Sequence, residues 1–546
     1  MKKSTLLLTL AASFLLPLTA IHAAASEKVE ANQVKEISLV SSKPYGNPFM
    51  EVELDAVVTR PDGKELRVPA FWAGGNDWKF RYASELTGTH SWKTECKDAS
   101  NTGLHGISGT IEVVPSTSDN PLHKHGPIRV SQNKRHFEHA DHTPFLWLGD
   151  TWWKALCKRL TWEGFQELTA DRKAKGFSVV QIVCGPYPDE GFFQPTWGNE
   201  GGMPYETKDF TVINPTYFKY SDRRIIHLAD AGLVPAIVGG WGRGDCDGMR
   251  VGVEGIKRHW RNIIARYGAY PAVWLIGGEA SGPKWTEVAR YVRQTDPFER
   301  IVTMHPHDSA RRMVTDESVL DFDMLQTGHG DWDKAHAAAP KVKAGYERTP
   351  KMPVMIGEHS YEGLMQTGFP DIQRHVFWSS MLSGAAGHTY GAAGIWHVGV
   401  EAEHGNWGAW GGKPYDYTTW KEGMVYPGST QVGLGRKLLE RYPWQRFEPH
   451  PEWTSPGSYA AGIPGELRFI YHPKGRIFDW TGTLVKGLEP GVSYSAFYFD
   501  PATGRRFDQG IIRSETGEFK TKEVPTPQDW VLVMERAQTK PTDLKK

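Results

Sequence analysis

The sequence predicts an α/β protein, a (β/α)8 TIM barrel flanked by N- and C-terminal β-sandwich domains. Eight short apolar runs recur between about residues 145 and 391, with amphipathic stretches between most of them. Period-two alternation rich in Trp and Gly precedes these runs, and a second alternating region follows them. At 546 residues the chain also exceeds one ordinary domain.

Residues 1–25 read as a signal peptide. Lys2 and Lys3 precede the apolar run from Leu6 to Leu18, and Ala23 to Ala25 offer a cleavage zone. The run is too short to span a bilayer, so an exported protein, periplasmic or extracellular, is expected. Four cysteines, Cys96, Cys157, Cys184 and Cys246, lack metal-ligand or redox spacing. One disulfide and buried free thiols both remain open.

Residues 33–116 form the expected N-terminal sandwich, of immunoglobulin-like size. Val52, Leu54, Ala56 and Val58 alternate with Glu51, Glu53 and Asp55, and Pro61-Asp62-Gly63 closes a turn. The polar stretch from Pro115 to Pro121 then separates it from a barrel over 125–440. Strands are expected near 145–150, 178–184, 234–240, 272–278, 301–306, 323–328, 353–358 and 384–391. Ile256, Trp260, Ile263, Ile264 and Tyr267 mark one helix face, with Gly268 as its candidate C-terminal cap. Trp285, Val288, Ala289 and Val292 mark another. The length suits a TIM barrel, and no Gly-rich phosphate loop follows the first strand as a doubly wound sheet would favour. Residues 441–538 return to alternation, as in Val492 to Phe499 before the Asp500-Pro501-Ala502-Thr503-Gly504 turn. A structural sandwich is expected there.

Lys+Arg and Asp+Glu both total 63, so no charge imbalance favours nucleic acid or an anionic membrane. The 22 Trp residues favour carbohydrate, because flat aromatic faces pack on sugar rings. The chemistry concentrates on two acids. Glu279 ends Ala-Val-Trp-Leu-Ile-Gly-Gly-Glu, and Glu358 ends Pro-Val-Met-Ile-Gly-Glu. Both follow apolar runs that read as doubly buried parallel strands, whose C-terminal ends hold the chemistry of a barrel. Two carboxylates there suit glycosidic cleavage, one protonating the leaving oxygen while the other attacks the sugar. Ion-paired strand-end acids are the bland alternative.

Asp150, Trp152 and Trp153 end the first strand, and Trp241 ends the third. His305 and His307 close the fifth, His329 the sixth, and His388 lies on the eighth. Together with Tyr361 and Trp396 they form the expected substrate-binding set. Asp150 reads equally well as a capping or salt-bridged acid. The histidines could hold a metal, but they come from separate strands without a ligand signature, and no cofactor is expected. Arg243-Gly244-Asp245 matches an adhesion tripeptide by chance. Trp396, Trp407, Trp410 and Trp420 crowd a Gly-rich loop, and long loops tend to be functional.

Phe145–Trp153, the Gly-Gly-Glu279 strand and the Gly-Glu358-His-Ser-Tyr-Glu362 strand resemble the apiosidase-like glycoside hydrolases. Those are barrel enzymes of bacteria that degrade complex plant polysaccharides. Asn47-Pro48-Phe49 and Phe71-Trp-Ala-Gly-Gly are similar to the β-sandwich module that often precedes them. Phe499-Asp500-Pro501 and Gly504-Arg505 resemble a module described as collagen-binding. The resemblance implies Glu358 as nucleophile and the fourth-strand acid as acid/base. In the family that acid is usually Asp; here it is Glu279, one methylene longer, which departs from the pattern tied to apiose.

The expected function is an exported retaining glycoside hydrolase acting on a carbohydrate, with no nucleic-acid partner and no membrane span. Its two carboxyl groups should lie about 5–5.5 Å apart. A non-catalytic carbohydrate- or matrix-binding protein on a barrel scaffold is the competing class. Metal-dependent hydrolysis through the rim histidines is a second enzymatic alternative.

Overall fold

The computed structural model describes residues 27–401, 417–473 and 482–537, with the backbone of Ala409–Trp410 and Lys413–Pro414. The expected signal peptide and Trp407 lie outside the described residues. Eight parallel strands make the central sheet: β1 (Trp147–Thr151), β2 (Val179–Val183), β3 (Val234–Val238), β4 (Val273–Gly278), β5 (Val302–His305), β6 (Asp323–Gln326), β7 (Val354–Glu358) and β8 (Gly387–Tyr390). Their order, β5-β4-β3-β2-β1-β8-β7-β6, is that of a barrel. At the β5/β6 seam no ladder is assigned, but Thr303 Oγ1 donates to Phe322 O at 2.8 Å and Val302 N to Asp321 Oδ2 at 2.7 Å. The strands are buried throughout, as sheets covered on both faces require.

Helices return the chain between strands. Helix α1 (Trp162–Lys175) starts at Thr161, whose hydroxyl caps Gly164 N, and ends at Gly176 with φ 95°, the left-handed stop that glycine allows. Helix α2 (Gly252–Tyr267) buries Ile256, Trp260, Ile263 and Tyr267, the face read from the sequence. Gly268 is its C-terminal cap, as expected, at φ −62° with its amide on Ile264 O. Helix α3 (Pro283–Thr295) buries Trp285, Val288, Ala289 and Val292.

Before the barrel lie a five-stranded and a three-stranded sheet, packed around Leu54, Val58, Trp78, Phe80, Trp92 and Ile111. A strand at Glu27–Glu30 pairs in parallel with Ser108–Val114, so sheet structure begins before the expected residue 33. After the barrel comes a six-stranded sheet. One face encloses Ile470, Tyr498, Trp530 and Leu532, while Phe469, Tyr471, Val531 and Val533 join the barrel core. Arg374 of the barrel meets Asp529 of that sheet in a buried two-pronged pair. All four cysteines are buried and unpaired.

Two ladder irregularities set the stage for chemistry. Leu275 pairs with Thr303 but Gly278 with His305, so β4 carries one extra residue. Leu325 pairs with Ile356 but Gln326 with Glu358, so β7 carries one as well. Each extra residue reverses the sheet face taken by the side chains after it. Without its bulge, Glu358 would continue on the face of Ile356. With it, Glu358 shares the face of Gln326.

Candidate active site

Both bulges end in Gly-Glu, and the packing shows why glycine is needed. A Cβ at Gly357 would sit 2.2 Å from Met324 Cγ, and one at Gly278 would sit 2.1 Å from the Trp241 ring. Glu279 itself adopts φ 48°, a left-handed conformation uncommon for a side-chain-bearing residue. Its amide donates to His305 O at 2.7 Å.

Glu279 and Glu358 line one cavity of about 740 Å³ at the C-terminal ends of β4 and β7. Glu358 is buried and surrounded by donors. Gln326 Nε2 and His329 Nε2 reach Oε1 at 2.7 and 2.9 Å. Tyr361 donates a short hydrogen bond to Oε2, and His305 Nε2 lies 3.3 Å from the same oxygen. Burial pushes this carboxyl up, but the contacts and charge of His305 and His329 outweigh it and hold the group well below the usual carboxylate range. Trp153 Nε1 donates to Tyr361 OH at 3.1 Å, which directs the phenol proton to Glu358. Burial, then the charge of Glu358, pushes the Tyr361 phenol well above its ordinary value, keeping it a donor.

Glu279 has different company. Arg243 Nη1 donates to its Oε2 at 2.9 Å, and Arg243 is largely exposed. His305 links the acids: its carbonyl takes the Glu279 amide, and its ring packs between Trp153 (4.8 Å) and Trp241 (5.3 Å) beside Glu358.

Of the expected set, Trp153, Trp241, His307, His329, Tyr361 and Trp396 line the cavity with both acids. His305 stands one layer behind, fully buried. Asp150, Trp152 and His388 lie elsewhere, which corrects their placement on the sugar-facing wall. Leu148 pairs with His388 and Asp150 with Tyr390, so these residues share one sheet face. That face meets the helices. Asp150 accepts from Arg172 Nε of α1 at 2.5 Å and from Trp152 Nε1 at 2.7 Å, all three fully buried. Trp152 packs edge-on against Phe165 of α1. His388 packs on Phe377 and His359; burial, then the His359 charge, depresses its pKa well below the ordinary value.

Gln326, Arg243 and Glu190 are among the cavity residues that escaped the sequence reading. Gln326 ends β6, so the strand-end argument could have found it. Arg243 was masked by the chance tripeptide. Glu190 comes from the loop after β2, where no periodicity marks it, and pairs with buried Lys154 at 2.8 Å. Among the described residues no group of three or more His, Cys, Asp and Glu is placed to hold a metal ion.

The family model described as "Apiosidase-like, catalytic domain" matches residues 131–446, more than half of the chain. A domain of unknown function (DUF5060) matches residues 28–97. Among solved structures, one described as a putative glycoside hydrolase from Bacteroides vulgatus ATCC 8482 is 18% identical, covering 94% of this chain and 100% of its own, with TM-score 0.73. Another, described as a glycoside hydrolase, is 20% identical over 78% of this chain and 100% of its own, with TM-score 0.66. A family 5 glycoside hydrolase from the same Bacteroides strain is 20% identical over 78% of this chain and 96% of its own, with TM-score 0.62. At these identities the likeness is one of fold. None of the curated proteins compared with the chain matches it.

Proposed function

Because the chain belongs to the apiosidase-like catalytic-domain family, and is thereby a glycoside hydrolase, we propose that it is an exported retaining enzyme with Glu358 as nucleophile and Glu279 as acid/base. The observation that carries this reading is the placement of both glutamates in one cavity, at the ends of β4 and β7, with His305 touching each. The donors around Glu358 favour an ionised carboxylate, the form a nucleophile needs.

In the first step Glu358 attacks the anomeric carbon, the bond to the leaving oxygen breaks, and Glu279 gives that oxygen its proton. Arg243 must release Glu279 before this transfer, and its exposed position leaves it free to swing away. In the second step Glu279 takes a proton from water, the resulting oxygen attacks the anomeric carbon, and Glu358 departs. Trp153, Trp241 and Trp396 supply flat walls for sugar faces, while His307, His329, Gln326 and Arg243 are placed to bind hydroxyls.

Export rests on the segment 1–25. Among the described residues no helix is long and apolar enough to cross a membrane. We assign the regions 33–116 and 441–538 to scaffolding around the catalytic region 125–440. The test is turnover of a panel of plant and algal polysaccharides. Glu279→Ala and Glu358→Ala should each lose about 10²–10⁴ of the rate. Near-wild-type turnover in either would overturn the assignment.

A further inference from the structure

The loop between β2 and the helix Pro215–Asp230 is long, covering residues 184–214, and it supplies Pro188, Asp189, Glu190 and Gly191 to the catalytic cavity. Three of its residues other than glycine take left-handed backbone: Asp189 at φ 55°, Phe193 at φ 61° and Phe210 at φ 58°. Such conformations persist only where the surroundings hold them. Part of the hold is local. Glu190 accepts from Lys154 at 2.8 Å and from Thr196 Oγ1 at 2.6 Å, and Phe192 N donates to Asp245 O at 3.0 Å.

A second hold comes from outside the barrel. In the N-terminal region Asn47-Pro48-Phe49 opens a short helical turn, Pro48–Glu51. Asn47 Oδ1 accepts from Met50 N at 3.3 Å, which leaves Nδ2 to donate to Thr211 O of the loop at 3.0 Å. Phe49 packs with the barrel core rather than with the core of its own sheets. Its ring meets Tyr205 at 6.2 Å, Tyr205 stacks on Phe210 at 4.1 Å, and Phe210 stacks on Phe192 at 5.9 Å. Phe192 directly follows Glu190 and Gly191, so the rings form one column from the N-terminal region to the cavity wall. The base of the column is fixed. Arg81 of the N-terminal sheet, 4% exposed, donates to Asp222 Oδ2 at 2.8 Å and to Arg266 O at 2.6 Å, both on barrel helices. Close-packed interiors transmit displacement rather than absorbing it.

We propose that Asn47 and Phe49 are positioning residues for the substrate: beyond scaffolding, the N-terminal region braces the β2 loop and sets where Asp189 and Glu190 stand in the cavity. The substrate role rests on reading the cavity as catalytic, whereas the brace itself does not. Loss of the Phe49 ring removes the end of the column and loosens that wall.

The test uses the full-length protein with Phe49→Ala, Asn47→Ala and, as a control, Val58→Ala, which truncates the core of the N-terminal sheets instead. Asn47 and Phe49 are half-buried, so their truncation leaves the fold standing. Hydrogen exchange of the peptide holding Phe192 comes first, since it needs no substrate. It should quicken about tenfold in Phe49→Ala and less in Asn47→Ala, with β7 unchanged and Val58→Ala like wild type. On a polysaccharide that the enzyme turns over, and well below the Tm of each variant, KM should rise about tenfold in Phe49→Ala with kcat within about twofold. A merely structural role would lower Tm and leave KM and local exchange as in wild type. Phe192 exchange unchanged in Phe49→Ala would overturn the proposal, as would an equal change in Val58→Ala. Faster exchange with unchanged KM would overturn the substrate role. Faster exchange in a protein that turns over no polysaccharide of the panel would overturn the catalytic reading, and the substrate role with it, while upholding the brace.

Discussion

Arg243 Nη1 donates to Glu279 Oε2 across 2.9 Å, although Arg243 is largely exposed and Glu279 is not. A pair with one largely exposed member contributes little to stability, so the contact bears on the cavity rather than the fold. Arg243→Ala should leave the unfolding free energy within the scatter of a surface substitution, about 0.5 kcal/mol, yet change kcat/KM. A matched loss of stability and activity would instead make Arg243 a structural residue.

Glu358 is buried beside Gln326, His329, Tyr361 and His305, and the contacts and charge of His305 and His329 are what overcome its burial. Its folded pKa is depressed, so the stability it contributes is present above the unfolded value, about 4.3, and is lost as pH falls through the lower folded one. Activity that needs its carboxylate should follow the same direction. His329→Ala removes one of the two groups that hold the pKa down and should move the acid limb of the kcat/KM profile upward. An acid limb unmoved in that variant would mean that another group sets it.

The Asp150–Arg172 pair is fully buried on the helix side of β1. Asp150→Ala should cost up to about 3 kcal/mol in urea unfolding, since it takes the fully buried carboxylate from a buried guanidinium that keeps only Asp171 and Met424 O. A stable variant with weakened substrate binding would return Asp150 to the sugar-binding wall.

Glu362 is a further buried acid, which accepts from Tyr390 OH at 2.5 Å and from Gly428 N at 3.1 Å. Burial pushes its pKa up to about 7. The folded state therefore holds a proton that the unfolded state releases near 4.3, and stability should fall as pH rises between these values. Glu362→Gln, an uncharged near-isostere, should flatten the fall in Tm from pH 5 to 7. An unchanged slope would remove Glu362 as its source.

The sequence carried the barrel well, because most strands are apolar runs cut off by Gly, Pro or a charge, and all eight overlap the expected stretches, although β6 (Asp-Met-Leu-Gln) and β8 (Gly-His-Thr-Tyr) are largely polar. Glu279 and Glu358 were legible as strand-end acids. Asp150 and His388 were misplaced because strand-end position alone does not give the face. Asp150 finds its partner 22 residues onward in α1, and a run of buried residues carries no alternation to reveal that side. The bulges that turn Glu358 inward left only the glycine before each glutamate as a trace. Arg243 and Glu190 come from loops, where periodicity says nothing.

The central claim is that Glu358 attacks the sugar directly, which requires the two carboxyl groups to work at about 5–5.5 Å rather than with a water between nucleophile and sugar. Proton NMR of the first product formed, recorded before mutarotation, tests it most directly. Retention of anomeric configuration is the predicted result. Inversion would contradict the account and make Glu358 a base that activates water.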